Sequence, residues 1–375
     1  MRIMRMTGVL TALLIALAFA ACGGDNGATP TATAPATATA AGPATATGTP
    51  IVQGTPATAA GAPIEILLMT HDSFDAKEDV LAEFERAYNA KVTIVKAGDA
   101  NQLVNRALLS AGNPEADVLF GVDNLTFARV RDGGVFADHV SPRRAAIPQD
   151  IRDQFGDSTL VTPIDYGFVD LNFDRAQGEP PATLEELTQP AWKAKLVVED
   201  PATSSPGLQF LATTVAHFGE GGWQQFWRDL RANDALVVDG WDTAYYTHFS
   251  LNGGDRSLVV SYTTSPAAEV FFGELEEPPT VNVIPGGTLF RQVEAAGVLA
   301  GTKQPELAQL LVDFLAGELF QAQIPETMFV YPVIPGLPLP EWWKWAEVDV
   351  EPATLEVDAA EIDRWIAEWT EIMRR

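Results

Sequence analysis

A single cysteine among 375 residues excludes internal disulfides, cysteine-ligated zinc and iron–sulfur clusters from this chain. Histidine is nearly as scarce: His71, His139, His217 and His248 are scattered and lack the spacing of a metal-ligand set, so no metal site is expected. Basic residues number 24 against 50 acidic ones, and a net charge of −26 argues against a nucleic-acid partner, whose binding rests on basic surface. No His-Glu-x-x-His, Gly-x-Ser-x-Gly, P-loop or Gly-x-Gly-x-x-Gly pattern occurs, so no catalytic or cofactor motif stands out and no cofactor is expected. What is present is apolar: 47% hydrophobic residues and 20% charged ones can build substantial cores rather than a disordered acidic chain, and the length suits two domains.

The position of the one cysteine is informative. Arg2 and Arg5 precede an apolar run from Val9 to Ala21, which stops at Cys22-Gly23-Gly24. About 13 apolar residues are short of the ~20 that a membrane span needs, so 1–21 reads as a secretory signal. Phe19-Ala20-Ala21-Cys22 resembles a bacterial lipobox, with Phe19 in the place of the usual leucine, and makes Cys22 the expected lipidation site. Residues 23–62 are almost entirely Ala, Thr, Gly and Pro, with Asp25 their only charge, and cannot bury enough apolar surface to order themselves. They are expected to form a tether of about 35 Å or more. The expected product is an exported body, lipid-anchored to the cell membrane on its extracytoplasmic or periplasmic face.

From residue 63 onward, strand-length apolar runs alternate with helical patterns, the signature of an α/β fold. Strands are expected at 64–69, 91–96 and 116–121 around helices at 76–89 and from Asp99, as a parallel βαβαβ set. The extended stretch 160–174 reads as a crossing into a second lobe, with strands at 196–199 and 257–261 and helices at 207–218, 222–231 and 243–251. A return near 281–289 leads to helices at 304–316 and 359–373, the last with an apolar stripe suited to packing. The expected division is 63–165 with 285–375 in one lobe and 166–284 in the other. Two lobes joined by more than one crossing create a cleft that closes by hinge motion.

Four loops carry unusual side chains. His71-Asp72-Ser73-Phe74 follows the first strand, where ligands gather in open α/β sheets. Asp200-Pro201-Ala202-Thr203-Ser204-Ser205-Pro206-Gly207 places hydroxyls at a helix start, where free N–H groups accept anions. Asp239-Gly240-Trp241-Asp242 and Ser261-Tyr262-Thr263-Thr264-Ser265-Pro266 offer two π faces suited to a flat or cationic ligand. Capping and core packing account for several of these residues one at a time; together the loops suggest a small-molecule cleft.

At these loops the chain resembles the thiamine-binding proteins of bacterial ABC importers, a branch of the two-lobed periplasmic solute-binding proteins. The matching blocks are Asp72-Ser73-Phe74, Ala116-Asp117-Val118, Pro163 to Gly167, Asp200-Pro201 with Thr203 to Leu208, Gly240-Trp241, Ser261 to Ala267, Lys303 to Gln309 and Tyr331-Pro332-Val333, in family order over nearly the whole folded body. The resemblance implies a periplasmic binding protein type II-like fold with a ligand cleft between its lobes. It also implies a monomer that captures thiamine or a thiamine phosphate and delivers it to a permease with a separate ATPase subunit. Site residues then include Asp72, Ser73, Asp99, Ala100, Ser204, Ser205, Trp241 and the run Tyr262, Thr263, Thr264, Ser265 and Pro266. The hydroxyethyl arm, or a phosphate on it, would meet the Ser204-Ser205 helix start. Ala100 stands where the family usually has glycine, and Ala268 and Phe329 where other aromatics occur, so a looser aromatic enclosure is expected. Rival readings are a ferric-ion binder using Tyr245 and Tyr246, a polyamine binder, an extracellular hydrolase with a nucleophile such as Ser265, and a purely structural surface lipoprotein.

Overall fold

The first hydrophobic runs fold as their alternation predicts. β1 (Ile64–Thr70), α1 (Glu78–Tyr88), β2 (Ala90–Lys96), α2 (Ala100–Leu109) and β3 (Val118–Asp123) follow one another, and β1 pairs in parallel with both β2 and β3. Asn89 ends α1 at φ 47°, a left-handed conformation that asparagine tolerates. Asp99 and Gln102 form a reciprocal capping box at the start of α2. This computed structural model describes residues 61–284, 289–349 and 359–374. The expected signal, Cys22, most of the tether and the proposed lobe junction after residue 284 lie outside those residues.

Next come α3 (Phe127–Asp132), α4 (Gln149–Asp153), β4 (Thr162–Asp174), β5 (Leu196–Glu199), α5 (Ser205–Phe218), α6 (Trp223–Ala232) and β6 (Leu236–Val238). They are followed by α7 (Trp241–Thr243), β7 (Leu258–Tyr262), α8 (Ser265–Gly273), β8 (Thr280–Val283) and β9 (Phe290–Val298). The chain closes with α9 (Pro305–Leu315), α10 (Glu318–Gln321), α11 (Ile324–Thr327), β10 (Tyr331–Pro332) and α12 (Ala359–Arg374). Strand order is β2-β1-β3-β9-β4-β7-β5-β6, with β8 and β10 also on β4. The 13-residue β4 is the link: its first half pairs antiparallel with β9, its second with β7 and β8.

Two departures from the sequence reading matter. The return does not end near 289: β8 is followed by β9, which runs between β3 and β4. The expected helix at 243–251 is the short α7 followed by a π-type turn over Ala244–His248, a feature that often marks functional sites.

Side chains on the two faces of β1 and β3 form separate cores. Ile66, Leu68, Phe120, Leu311 and Phe320 pack on one face, and Leu103, Val104, Leu119 and Phe127 on the other. A third core joins Leu171, Val198, Leu211, Trp227 and Leu258 to Ile362, Trp365 and Trp369 of α12. Residues 285–375 were assigned to the first lobe on sequence; α12 departs from that assignment because its apolar stripe closes the core of β5, β7, α5 and α6. The packing role expected for that stripe is what α12 performs. No helix among the described residues is long and apolar enough to cross a membrane.

Candidate functional site

Strand ends and helix starts converge on a cavity of about 620 Å3, within the range of small-ligand sites. The loop after β1 contributes His71 and Ser73, the start of α2 Asp99 and Ala100, and the start of α5 Ser205 and Pro206. Trp241, Asp242, Tyr245 and Tyr246, Tyr262 with the first turns of α8, Gln292 and Glu294 of β9, and residues 327–330 help to complete the wall. Ligands gather at such carboxyl ends of parallel strands because free helix N–H groups and short loops meet there.

Trp241 is fixed from three directions. Its backbone N–H donates to Asp99 Oδ2 at 2.9 Å, and its indole N–H to Ser261 Oγ at 2.8 Å, which in turn lies 2.8 Å from Ser265 Oγ. Its ring stacks on Tyr245, centroids 5.0 Å apart at 23°. Gly240 allows the close approach: a Cβ there would lie 2.9 Å from Asp99 Oδ2. The Tyr262 hydroxyl donates to Gln292 Oε1 at 2.9 Å, turning the ring edge toward Trp241 at 65°.

Carboxylates crowd the wall. Asp75, Asp99, Asp242, Glu269 and Glu294 line it, while no lysine or arginine does among the described residues. Glu269 is pushed up to about 6 by burial, against hydrogen bonds from Thr280 and from the Tyr245 hydroxyl. Burial also holds Asp99 above the usual carboxylate range, opposed by the N–H groups of Trp241 and Ala100. At the floor, Asp165 of β4 faces Glu294 of β9 in the strand register. Burial, then the Glu294 charge, raises the Asp165 carboxyl well above the usual carboxylate range. His71 lies 3.6 Å from Glu294; burial opposes its charge, but Glu294 and Asp99 outweigh it and raise its pKa.

Beneath Ser261, its register partner Asp170 is buried with one oxygen unpartnered, and burial alone raises its pKa well above 3.8. A folded-state pKa above the unfolded one means that the stability contribution is complete at about pH 4 and is lost as pH rises through the raised value. Asp170→Asn is therefore expected to melt above wild type at pH 8, with the gap closing toward pH 4. Equal melting temperatures at pH 8 would count against this account.

Eight of the twelve expected ligand residues line the cavity: Ser73, Asp99, Ala100, Ser205, Trp241, Tyr262, Thr264 and Ser265. The other four are placed elsewhere. Asp72 instead accepts the Gly98 N–H at 3.1 Å and ties two loops together. Ser204 and Thr263 are fully buried, their carbonyls accepting from Asn101 at 3.2 Å and Asn282 at 2.8 Å, and Pro266 is buried in the first turn of α8. Trp241, Tyr245, Tyr246, Tyr262, Phe272 and Phe329 all face the cavity, as does Ala268, and Phe272 and Phe329 pack with centroids 5.0 Å apart. Tyr245 and Tyr246 split into a buried and an exposed ring, 6% against 57% exposed, yet both reach the wall.

Gln292, Glu294, Glu269 and Asp75 were not picked out on sequence, and His71 and Asp242, although within two of the four loops, were not among the expected ligand residues. A signal existed for some: Gln292 and Glu294 are two apart on one strand and so share a face, and Glu269 is one helical turn beyond Ser265.

A family model described as bacterial extracellular solute-binding protein matches residues 113–352. The thiamine-binding periplasmic protein of Escherichia coli (strain K12) is 32% identical over 320 residues, covering 83% of this chain and 94% of its own length. Iron uptake protein A1 of Synechocystis sp. is 25% identical over 302 residues, with 76% and 79% covered. A solved structure titled periplasmic thiamin binding protein superposes with a TM-score of 0.73 at 28% identity, covering 86% of this chain and all of the other. Sharing both sequence and two-lobed type II architecture with binding proteins over most of its length, the chain belongs to the bacterial extracellular solute-binding protein family.

Proposed function

We propose that this protein captures thiamine outside the cytoplasm and delivers it to an ABC permease driven by a separate ATPase, held at the membrane by a lipid on Cys22 with residues 23–62 as spacer. The observation that carries the reading is the wall itself: among the described residues it holds six Trp, Tyr and Phe rings and five carboxylates with no lysine or arginine, in a cavity of about 620 Å3. A permanent thiazolium cation is favoured by aromatic faces, at about 2 kcal/mol for a desolvated contact, and by the carboxylates around them. Trp241 and Tyr262 supply faces for the two rings. Ser73, Thr264, Ser265 and Gln292 offer hydrogen bonds to the aminopyrimidine and the hydroxyethyl arm. The thiamine-binding names of relatives over most of the chain support the same ligand.

A ferric-ion reading draws on Tyr245 and Tyr246 and on the iron uptake relative. The Tyr245 hydroxyl, however, donates to Glu269 Oε1 at 2.5 Å, and burial, then the Glu269 charge, raises its pKa well above 10. That is the wrong direction for a tyrosinate ligand. A polyamine would also suit carboxylates and rings, and competition separates it.

Thiamine at a hundred times its Kd is expected to stabilise the protein by about 2.7 kcal/mol and to quench tryptophan fluorescence, with spermidine and ferric citrate unable to displace it. If millimolar thiamine leaves both melting and fluorescence unchanged, the assignment fails. For the anchor, Cys22→Ser is expected to move the protein from the detergent to the aqueous phase in Triton X-114 partition and to abolish labelling by radioactive fatty acid. Continued labelling of the variant would remove Cys22 from that role.

A further inference from the structure

Glu294 belongs to a row of carboxylates that three adjacent strands set side by side. Its register partners are Asp123 of β3 and Asp165 of β4. Asp123 is buried and already engaged, accepting the N–H groups of Leu125 at 2.9 Å and Thr126 at 2.8 Å and the hydroxyl of Ser205. Glu294 instead opens on the cavity, and so does His71. The imidazole Nε2 lies 3.6 Å from the Glu294 carboxylate, an ion-pair distance rather than a hydrogen bond. Its side chain is only 13% exposed. β3 gives it an uncharged backing: the ring packs on Phe120 with centroids 5.6 Å apart, and a Cβ on Gly121 would lie 2.7 Å from it. The charges that act on it are Glu294, Asp99 at the start of α2 and, in the opposite sense, Lys96 at the end of β2. The Lys96 ammonium turns away, donating to the carbonyls of Asp72 and Phe74. Among the described residues, His71 is therefore the one basic side chain on a wall that also carries Asp75 and Asp242.

We propose that His71 is the proton-exchanging residue of the site: the neutral imidazole leaves Glu294 to the cation of the ligand, whereas the imidazolium neutralises Glu294 and repels that cation. Capture then releases the imidazolium proton to solvent, and affinity rises with pH. The inference rests on the thiamine reading above and adds a proton linkage to it. An imidazole ordinarily titrates near pH 6.5, and the raised pKa of His71 moves the exchange upward from there. Reciprocity fixes the sign, since a ligand that drives the proton off is itself bound more weakly wherever the free protein holds that proton. Below the imidazole pKa, one such proton changes the affinity by up to about tenfold per pH unit. Asp165, Asp99 and Glu269, whose pKa values are also raised, would shed protons in the same sense, so the test must separate the two sources.

Isothermal titration of the whole protein with thiamine, in buffers of different ionisation enthalpy across the imidazole range, counts the protons released. Wild type is expected to release about one proton in the lower part of that range and to bind about tenfold more tightly one pH unit higher. His71→Gln is expected to lose most of the release and to flatten the dependence of affinity on pH, whatever its affinity. NMR of the wild-type imidazoles gives a readout that needs no variant: one of the four is expected to lower its pKa when thiamine is added. Wild type that binds without releasing a proton, or four imidazoles indifferent to thiamine, would overturn the linkage while leaving thiamine capture standing. His71→Gln releasing as many protons as wild type would overturn it in favour of the carboxylates. Absence of thiamine binding at every pH would overturn the capture reading and the linkage with it.

Discussion

Replacing Trp241 with alanine is expected to weaken thiamine binding about thirtyfold or more and to remove most of the ligand-dependent fluorescence change. One desolvated cation–π contact with tryptophan contributes about 2 kcal/mol, and each 1.4 kcal/mol is a factor of ten in Kd. The full contact is expected here because the indole is held before the ligand arrives: its N–H donates to Ser261 and its face lies on Tyr245. Little ordering entropy then remains to be lost on binding. Trp241→Phe keeps a π face but forfeits the bond to Ser261, so its loss should be smaller, about three- to tenfold. Trp241 is only partly buried, at the edge of the small core of Val197, Ala244, Tyr245, Phe249 and Val259, so the alanine variant should keep the circular dichroism of wild type. Calorimetry on the two variants decides the matter. Unchanged affinity in Trp241→Ala would remove the indole from the site, whatever the ligand.

How much of this site the sequence revealed follows from where each residue sits. β1, β2 and α1 were legible because their apolar periods are clean, and Trp241 and the run from Ser261 to Ser265 because they break strand or helix patterns at loop positions. β9 was not legible. Arg291, Gln292 and Glu294 interrupt its hydrophobicity, and Ala295, Ala296 and Gly297 lack the β-branching that marks a strand. Glycine is required at one of these positions: a Cβ on Gly297 would meet Phe136 at 2.6 Å and the Leu160 carbonyl at 2.8 Å. With the strand went Gln292 and Glu294, whose role depends on partners far along the chain. Asp123 was hidden for the same reason, since only folding brings the end of β3 to Ser205. Thr263 shows the converse error. A cluster of hydroxyls was read as one surface, whereas the backbone at the end of β7 turns Thr263 inward while Tyr262 and Thr264 face the cavity.

Trp369→Ala is expected to destabilise the protein by about 3–5 kcal/mol, the range for removing a large buried aromatic. The side chain is fully buried and meets Trp227 edge to face, centroids 5.5 Å apart at 78°. The polar contacts of α12 cannot replace it. Arg364 lies 2.9 Å from Glu220, but both side chains are 39% or more exposed, and ion pairs of that kind contribute about 1 kcal/mol or less. Arg364→Ala therefore serves as the comparison, with a urea midpoint close to that of wild type. The apolar stripe, not the charged face, is what makes α12 part of the core shared with α5, the helix whose first residues border the cavity. If that account holds, saturating thiamine raises the melting temperature of Trp369→Ala as it does that of wild type, from a lower starting point, because the loss is of packing and not of a ligand contact. A urea midpoint unchanged from wild type would show that α12 rests on the body without closing its core.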